Sequence, residues 1–229
     1  MTKSRSSIRK IKVPGTTVQL LTATTKMPGP SWSLPAHKSC PRANGDICDS
    51  CYAENGCYRY RETRHAQETR FRWTVECMRT DEGFAQWVST IVDAIQKLGC
   101  TYFRVHDSGD MFNPRYAQAW LEVCRQLLEV RFWISTRTWQ QPSGALPIFD
   151  PIMATMRELA KLPNVTVRPS ALNFGDHAPI VAGLHSGSTA AMTDVFRAAQ
   201  CPAYRQGGYC GACRTCWDDK DIPVSYSRH

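Results

Sequence analysis

Eight of the eleven cysteines in this chain stand in two groups: Cys40, Cys48, Cys51 and Cys57, then Cys201, Cys210, Cys213 and Cys216. Any fold must gather each group into a loop, because a CxxC spacing sets two thiols on one turn as a chelating pair. The odd total forbids complete pairing within the chain. Residues 1–12 are basic but lack the apolar stretch of a signal peptide. The expected compartment is therefore the cytoplasm, where thiols stay reduced and metal ligation explains them better than disulfides. No stretch approaches the roughly 18–20 uncharged apolar residues of a membrane span, so no membrane partner is expected.

Cys48-x2-Cys51 is one chelating pair, with Cys40 upstream of it across a short loop. Cys57 is less well placed, since a helix begins close to it. Three ligands from one loop leave one position open on a cubane cluster. Cys210-x2-Cys213-x2-Cys216 is the run of ferredoxin-type [4Fe-4S] loops. Cys201 is followed by Pro202, and Gly207, Gly208 and Gly211 give the loop freedom to wrap a metal. Two CxxC pairs could instead make one four-thiolate zinc site. That choice strands Cys40, Cys201 and Cys210, whereas one or two [4Fe-4S] clusters use them. Cys77, Cys100 and Cys124 stand singly and read as small buried hydrophobes. His65, His177 and His185 read as satisfied polar groups.

The chain is 229 residues long and 42% hydrophobic, enough for one sizeable core. Residues 1–16 read as a basic flexible arm, 17–200 as an α/β core, and 201–229 as a Cys-rich extension packed on it. Residues 18–25 (VQLLTATT) are β-rich. Pro28, Pro30 and Pro35 mark residues 27–36 as a loop. Residues 58–78 lack Gly and Pro and predict a basic helix. Phe84, Trp87, Val88, Ile91, Val92, Ile95 and Leu98 recur at helical spacing, with Gly99 to close the helix. Pro114 and Pro151 open two further helices. Residues 101–106 (TYFRVH), 131–135 (RFWIS) and 165–168 (VTVR) predict strands. Helix and strand alternate three times, which predicts βαβ units and a parallel sheet. A partial or small (βα) barrel-like sheet and an open doubly wound sheet both fit.

Parallel sheets carry their chemistry at the carboxyl ends of the strands. Here those ends hold His106-Asp107-Ser108-Gly109-Asp110, then Ser135 and Arg137, then Arg168 and Ser170. His106, Asp107 and Asp110 are the candidate catalytic groups. Ser108, Gly109, Asp110, Ser135, Arg137, Arg168 and Ser170 are the candidate cofactor-binding ones. The net charge of +8 suits an anionic partner, a nucleotide or nucleic acid.

Ser33-Leu34-Pro35-Ala36, Cys40-Pro41 and Cys48-x2-Cys51-Tyr52-Ala53 resemble the first block of the phage gene 88 protein family. The string from Phe103 to Phe112 (FRVHDSGDMF) resembles its second block, and Cys201-Pro202 with Cys210 to Cys216 its third. The order of these features also resembles radical S-adenosylmethionine (SAM) enzymes. Those place a three-cysteine loop after the first strand of a (βα) barrel and an acidic Gly-rich motif after the second. Here the loop is Cx7Cx2C in place of the common Cx3Cx2C, and Asp110 stands where Glu is usual. This resemblance implies a [4Fe-4S] cluster on Cys40, Cys48 and Cys51 whose open iron takes SAM. It further implies Asp110 orienting SAM, with His106 or Asp107 nearby. It implies a second cluster on Cys201, Cys210, Cys213 and Cys216, an electron donor such as flavodoxin or ferredoxin, and radical chemistry begun by reductive cleavage of SAM. Two other readings stay open: an iron–sulfur redox protein without SAM, and a zinc-stapled nucleic-acid-binding module. If the chain is phage-encoded, the cytoplasm is that of a host cell.

Overall fold

A computed structural model describes residues 10–13, 16–140, 150–191 and 198–227. Strands β1 (Lys10–Val13) and β2 (Thr16–Gln19) pair antiparallel, so the end of the basic arm is tied into a hairpin. The main sheet is parallel and runs in the order β3 (Ser31–Ser33), β4 (Tyr102–Ser108), β5 (Arg131–Thr136) and β6 (Val165–Pro169). Helix α1 (Asp46–Asp49) is a single turn in the loop after β3. Helices α2 (Arg61–Cys77) and α3 (Asp81–Leu98) connect β3 to β4. Helix α4 (Pro114–Gln126) connects β4 to β5, and α5 (Pro151–Lys161) lies between β5 and β6. Neighbours in sequence are thus neighbours in the sheet, which a doubly wound order would not give.

The helix boundaries follow from capping chemistry. The Thr80 side chain accepts the Gly83 N–H at 3.0 Å, and Gly99 ends α3 with φ 57°. Asn113 caps α4 ahead of Pro114, accepting the Tyr116 N–H at 2.8 Å. Asp150 does the same for α5, accepting from Ile152 and Met153. Period-two alternation then sorts the sheet into two faces. Phe103, Phe132, Ile134, Val165 and Val167 are buried in the apolar cluster that α3, α4 and α5 share. Trp32, Trp87 and Trp120 sit at its centre, completely buried, with rings meeting edge to face.

The other face carries Arg104, Trp133, Thr166 and Arg168, and the C-terminal segment covers it. Strands β7 (Ser188–Ala191), β8 (Ala199–Gln200) and β9 (Val224–Ser227) form a second parallel sheet in the order β7-β9-β8. Helix α6 (Thr215–Asp218) lays Trp217 against Trp133, with ring centroids 5.1 Å apart. Thr166 Oγ1 donates to the Trp217 carbonyl at 2.6 Å. The Arg168 guanidinium is completely buried and donates to five backbone carbonyls, those of Cys216, Ser186, Ile222, Thr215 and Asp219.

The parallel α/β reading holds. Two parts of it need correction. The first strand of the sheet lies in the Pro-rich stretch read as a loop, and residues 18–25 are mostly irregular beyond β2. The prolines flank Ser31–Ser33 rather than interrupt it, and a bridge from Thr22 to Ser31 holds its outer edge. Gly29 allows this close passage, since a Cβ there would lie 1.8 Å from the Tyr102 carbonyl oxygen.

Arg168→Met leaves those five carbonyls without their charged donor. We expect a loss of about 3–5 kcal/mol in chemical denaturation, and early proteolytic release of residues beyond 200. Arg168→Lys is expected to rescue little, since an ammonium cannot span five acceptors. Unchanged stability in both variants would refute the clamp.

Candidate functional site

The loop after β3 carries the first cysteine group. Its start is fixed at the carboxyl end of the sheet, where the Leu34 N–H donates to the Ser108 carbonyl at 2.9 Å. Tight turns follow, with the Ser39 N–H donating to Pro35 and the Cys40 N–H to His37, each at 3.1 Å. Gly45, at φ 81°, presses on the segment after β6; a Cβ there would lie 2.5 Å from the Leu172 oxygen. Asp46 Oδ1 accepts the Phe174 N–H at 2.8 Å, and the Ile47 N–H donates to Leu172 at 3.1 Å. These contacts seat Cys48 on α1 and Cys51 just after it, across the strand ends from Cys40.

The three thiols act on one another. Burial pushes the Cys40 thiol up to about 12, helped by the negative charge of Asp110 and by Cys51 and Cys48. Cys51 is raised by burial first, with Cys48 adding to it and Arg137 opposing. Cys57 is exposed, on a separate 3-10 turn, Gly56–Arg59.

Asp110 ties this rim together. Its Oδ1 accepts from Thr136 Oγ1 at 2.8 Å and the Met111 N–H at 2.7 Å, and its Oδ2 from the Arg137 N–H at 2.8 Å. The Asp110 N–H in turn donates to the Ser39 carbonyl at 3.1 Å. Burial raises its pKa, and these hydrogen bonds oppose the rise. Gly109, at φ 94°, lets the chain pass under the loop, where a Cβ would meet Ser39 Oγ at 2.7 Å. Arg137 Nε donates to the Ala171 carbonyl at 3.1 Å. Ser135 and Ser170 share a hydroxyl hydrogen bond of 2.7 Å, and Ser170 meets Ser188 at 3.3 Å. Ser108 Oγ is buried without a hydrogen-bond partner.

His106 and Asp107 part company. Between the pairs Ser31–Arg104 and Ser33–Ser108 the register shifts, because β4 carries two extra residues there. Such a bulge re-aims the residues after it. His106 therefore points among the helices, where Nε2 and the Tyr116 hydroxyl are 2.8 Å apart. Burial lowers its pKa to about 3, with Arg104 adding to the effect. Asp107 comes onto the opposite face beside Arg104. Its carboxylate accepts from the Tyr58 hydroxyl at 3.1 Å, and its carbonyl from Tyr52.

The second cysteine group lies on the C-terminal segment. The Cys201 N–H donates to Ser225 on β9, and the Cys210 N–H to Lys26, at 2.8 and 2.9 Å. Gly207, at φ 65°, ends the 3-10 turn Pro202–Gln206 and turns the chain back. The Cys213 N–H donates to the Cys210 carbonyl at 3.0 Å. Burial raises Cys210, and the charges of Cys201 and Cys213 raise it further. Burial takes Cys216 up to about 11, opposed by the Tyr226 hydroxyl 3.3 Å from its sulfur and by Arg168 and Arg104.

Cys40, Cys48 and Cys51 thus influence one another's charge at the rim, as do Cys201, Cys210, Cys213 and Cys216 on the extension. As these side chains stand, no group of three or more His, Cys, Asp or Glu among the described residues closes around a point that would hold a metal ion. The donor chemistry suits a soft metal, with clustered thiols beside arginines that offset thiolate charge. Sequence reasoning missed Arg104, Tyr52, Tyr58 and Tyr226. Their signal was available in part: Arg104 alternates with Phe103 and Val105, and Tyr52 follows Cys51 directly.

The buried His106 generates a pH dependence. Its folded-state pKa lies below its unfolded value, so below about pH 6.5 the unfolded chain takes up a proton that the fold refuses. Stability is thus lost as pH falls from 6.5 toward 3, by about 3 kcal/mol at pH 4.5. Denaturant titrations at pH 7.5 and 4.5 should show this loss, and His106→Gln should remove most of it. An identical pH slope in that variant would rule the residue out.

A family model described as Gene product 88 matches residues 4–219. The Gene 88 protein of Mycobacterium phage D29 is 32% identical over 109 residues, covering 43% of this chain and 42% of that protein. The match thus spans less than half of that relative. No solved structure matches the chain. With nearly its whole length matched by that family model, the chain belongs to the Gene product 88 family.

Proposed function

We propose that this chain is a radical-SAM-like iron–sulfur enzyme, with a [4Fe-4S] cluster on Cys40, Cys48 and Cys51 and a second on Cys201, Cys210, Cys213 and Cys216. One observation carries the reading. The three rim thiols follow the first strand of a sequentially ordered parallel sheet, and the Ser108-Gly109-Asp110 turn ends the second strand directly beneath them. That is the order which the resemblance to radical SAM enzymes implies.

Cys40, Cys48 and Cys51 would hold the cluster, leaving one iron open. When bound, such a cluster with SAM supplies reductive cleavage of a sulfonium carbon–sulfur bond. The protein's part is position. Asp110 fixes the loop and the strand ends, and Arg137 brings positive charge beside Cys51. The Ser135–Ser170 pair offers hydroxyls on the same rim. His106 is held neutral in the core and supports β4 rather than touching a ligand. Arg168 serves the extension through its carbonyl contacts. An electron donor of the flavodoxin or ferredoxin class would reduce the protein, in the cytoplasm of a phage host.

Protein purified without oxygen should carry about eight irons with matching acid-labile sulfide. Cys40→Ala, Cys48→Ala and Cys51→Ala should each lose about half of that iron, while Cys57→Ala loses none. SAM added to the dithionite-reduced protein should change the EPR signal that Cys40→Ala abolishes. A colourless protein with one or two zincs sinks the proposal, and loss of iron in Cys57→Ala sinks the open-site assignment.

A further inference from the structure

Arg104 stands between the two cysteine groups. It leaves β4 on the sheet face away from the helices. Toward the first group, its Nη2 donates to the Tyr52 hydroxyl at 3.1 Å, and Tyr52 is the residue after Cys51. That hydroxyl donates onward to the Asp107 carbonyl. The Tyr52 ring edge is exposed, while its hydroxyl is enclosed by these partners.

Toward the second group, the guanidinium lies 4.4 Å from the centroid of the Trp133 ring. Trp133 meets the Tyr226 ring at 6.3 Å, and the Tyr226 hydroxyl is 3.3 Å from Cys216 Sγ. A continuous line of contacts therefore runs from Cys51 through Tyr52, Arg104, Trp133 and Tyr226 to Cys216. Arg104 Nε is buried with no hydrogen-bond partner, so the cation's neighbours are mainly these rings and hydroxyls. Its charge acts on Cys210, Cys216 and Tyr226 on one side, and on Tyr52 and Tyr58 on the other. Burial works against its own charge, and Tyr52, Asp107, Tyr58 and Tyr226 outweigh that and hold it ionised.

We infer that Arg104 is a shared counter-cation of the two metal centres, a positioning residue whose charge sets the electron affinity of both. The inference rests on the iron–sulfur reading above. An electron added to either centre makes it more negative, and a fixed positive charge in a poorly solvated setting stabilises that state. The effect is larger at the second centre, where the Arg104 charge acts on Cys210 and Cys216 themselves, while at the first it acts on Tyr52, the residue after Cys51. Arg131, Arg214 and Lys220 also belong to the C-terminal side, but Arg131 is paired with Asp218 and Lys220 donates to the Leu162 and Pro163 carbonyls. Arg214 lies over the Tyr102 ring and donates to the Gly211 carbonyl. Its charge acts on Cys210 as that of Arg168 acts on Cys216, each ahead of Arg104, but Arg104 alone among them also contacts Tyr52.

The test is an EPR-monitored redox titration of the full chain, loaded with iron and sulfide, with dithionite as the one-electron reductant. Cys40→Ala and Cys213→Ala assign each signal to its group. Arg104→Gln should lower both midpoint potentials. At the second centre the reduced-to-oxidised ratio at fixed potential should fall at least tenfold, about 59 mV for a one-electron couple. The first centre should shift in the same direction and less. Arg104→Lys keeps the charge and should restore most of both shifts, and Tyr226→Phe should move the second centre alone. Loaded Arg104→Gln protein with both potentials unmoved, or with only one moved, overturns the inference, as does Arg104→Lys behaving like Arg104→Gln. Wild-type protein without iron overturns the iron–sulfur reading itself, and its missing colour separates that failure from the other.

Discussion

A buried guanidinium holds the two halves of this protein together. Arg168 belongs to β6, yet every hydrogen bond of its side chain runs to the segment after Gly183. Five carbonyls converge on it, and carbonyls converge on one point only if something positive sits there. Without that charge, the backbone around Thr215, Asp219 and Ile222 would have to find water, and the extension could not lie against the sheet. The clamp reaches the second cysteine group directly, since the Cys216 and Thr215 carbonyls supply two of its acceptors.

The two faces of the sheet then take different roles. One is a plain hydrophobic face, where Phe103, Phe132, Ile134 and Val167 meet α3, α4 and α5, and burial of apolar area supplies the stability. The other is lined by Arg104, Trp133, Thr166 and Arg168, each held by a specific partner, with Arg104 Nε and Trp133 Nε1 left without a hydrogen bond. A polar face of this kind is expensive unless it is covered and paired, and the C-terminal segment does both. Asp110 plays the matching part at the sheet's carboxyl edge, where one carboxylate binds groups from β4, β5 and the residues just after them. The candidate site is the corner where that edge meets the polar face.

Much of this was legible because periodicity and caps are local. Trp87, Ile91 and Ile95 announce α3, Gly99 closes it, and Pro114 and Pro151 mark the next helices. The grouping of the cysteines was legible for the same reason, since two CxxC pairs each need only one turn. What escaped was set by distant contacts. Ser31–Ser33 is a strand because Thr22 and Arg104 flank it, and nothing in three residues between prolines says so. The strands STAA and VSYS are short and polar, and pair with each other across more than thirty residues of chain. His106 and Asp107 looked alike as rim residues, but two extra residues in β4 sent one into the core and left the other beside Arg104. Of the basic residues behind the net charge of +8, Arg70 is buried on α2, donating to the Gln19 and Ser33 carbonyls, and Arg168 is buried on β6. Those charges serve the interior and are unavailable to an anionic partner.

The same arginines bear on how a chain can keep seven clustered thiols inside a fold. Burial makes thiolate costly at both groups, which is why Cys40 and Cys216 are pushed up to about 12 and 11. In the metal-free chain they are neutral, and a neutral thiol packs as a small apolar group at little cost. Under the proposed reading a metal would have to displace those protons, and its own charge would offset the thiolates. Positive charge already waits beside them, Arg137 at Cys51 and Arg168 with Arg104 at Cys216. The fold thus accommodates the neutral thiols through burial, beside cations held in place for other reasons. Arg168 is there to bind carbonyls and Arg104 to stack on Trp133, and both still lower the cost of thiolate at Cys216.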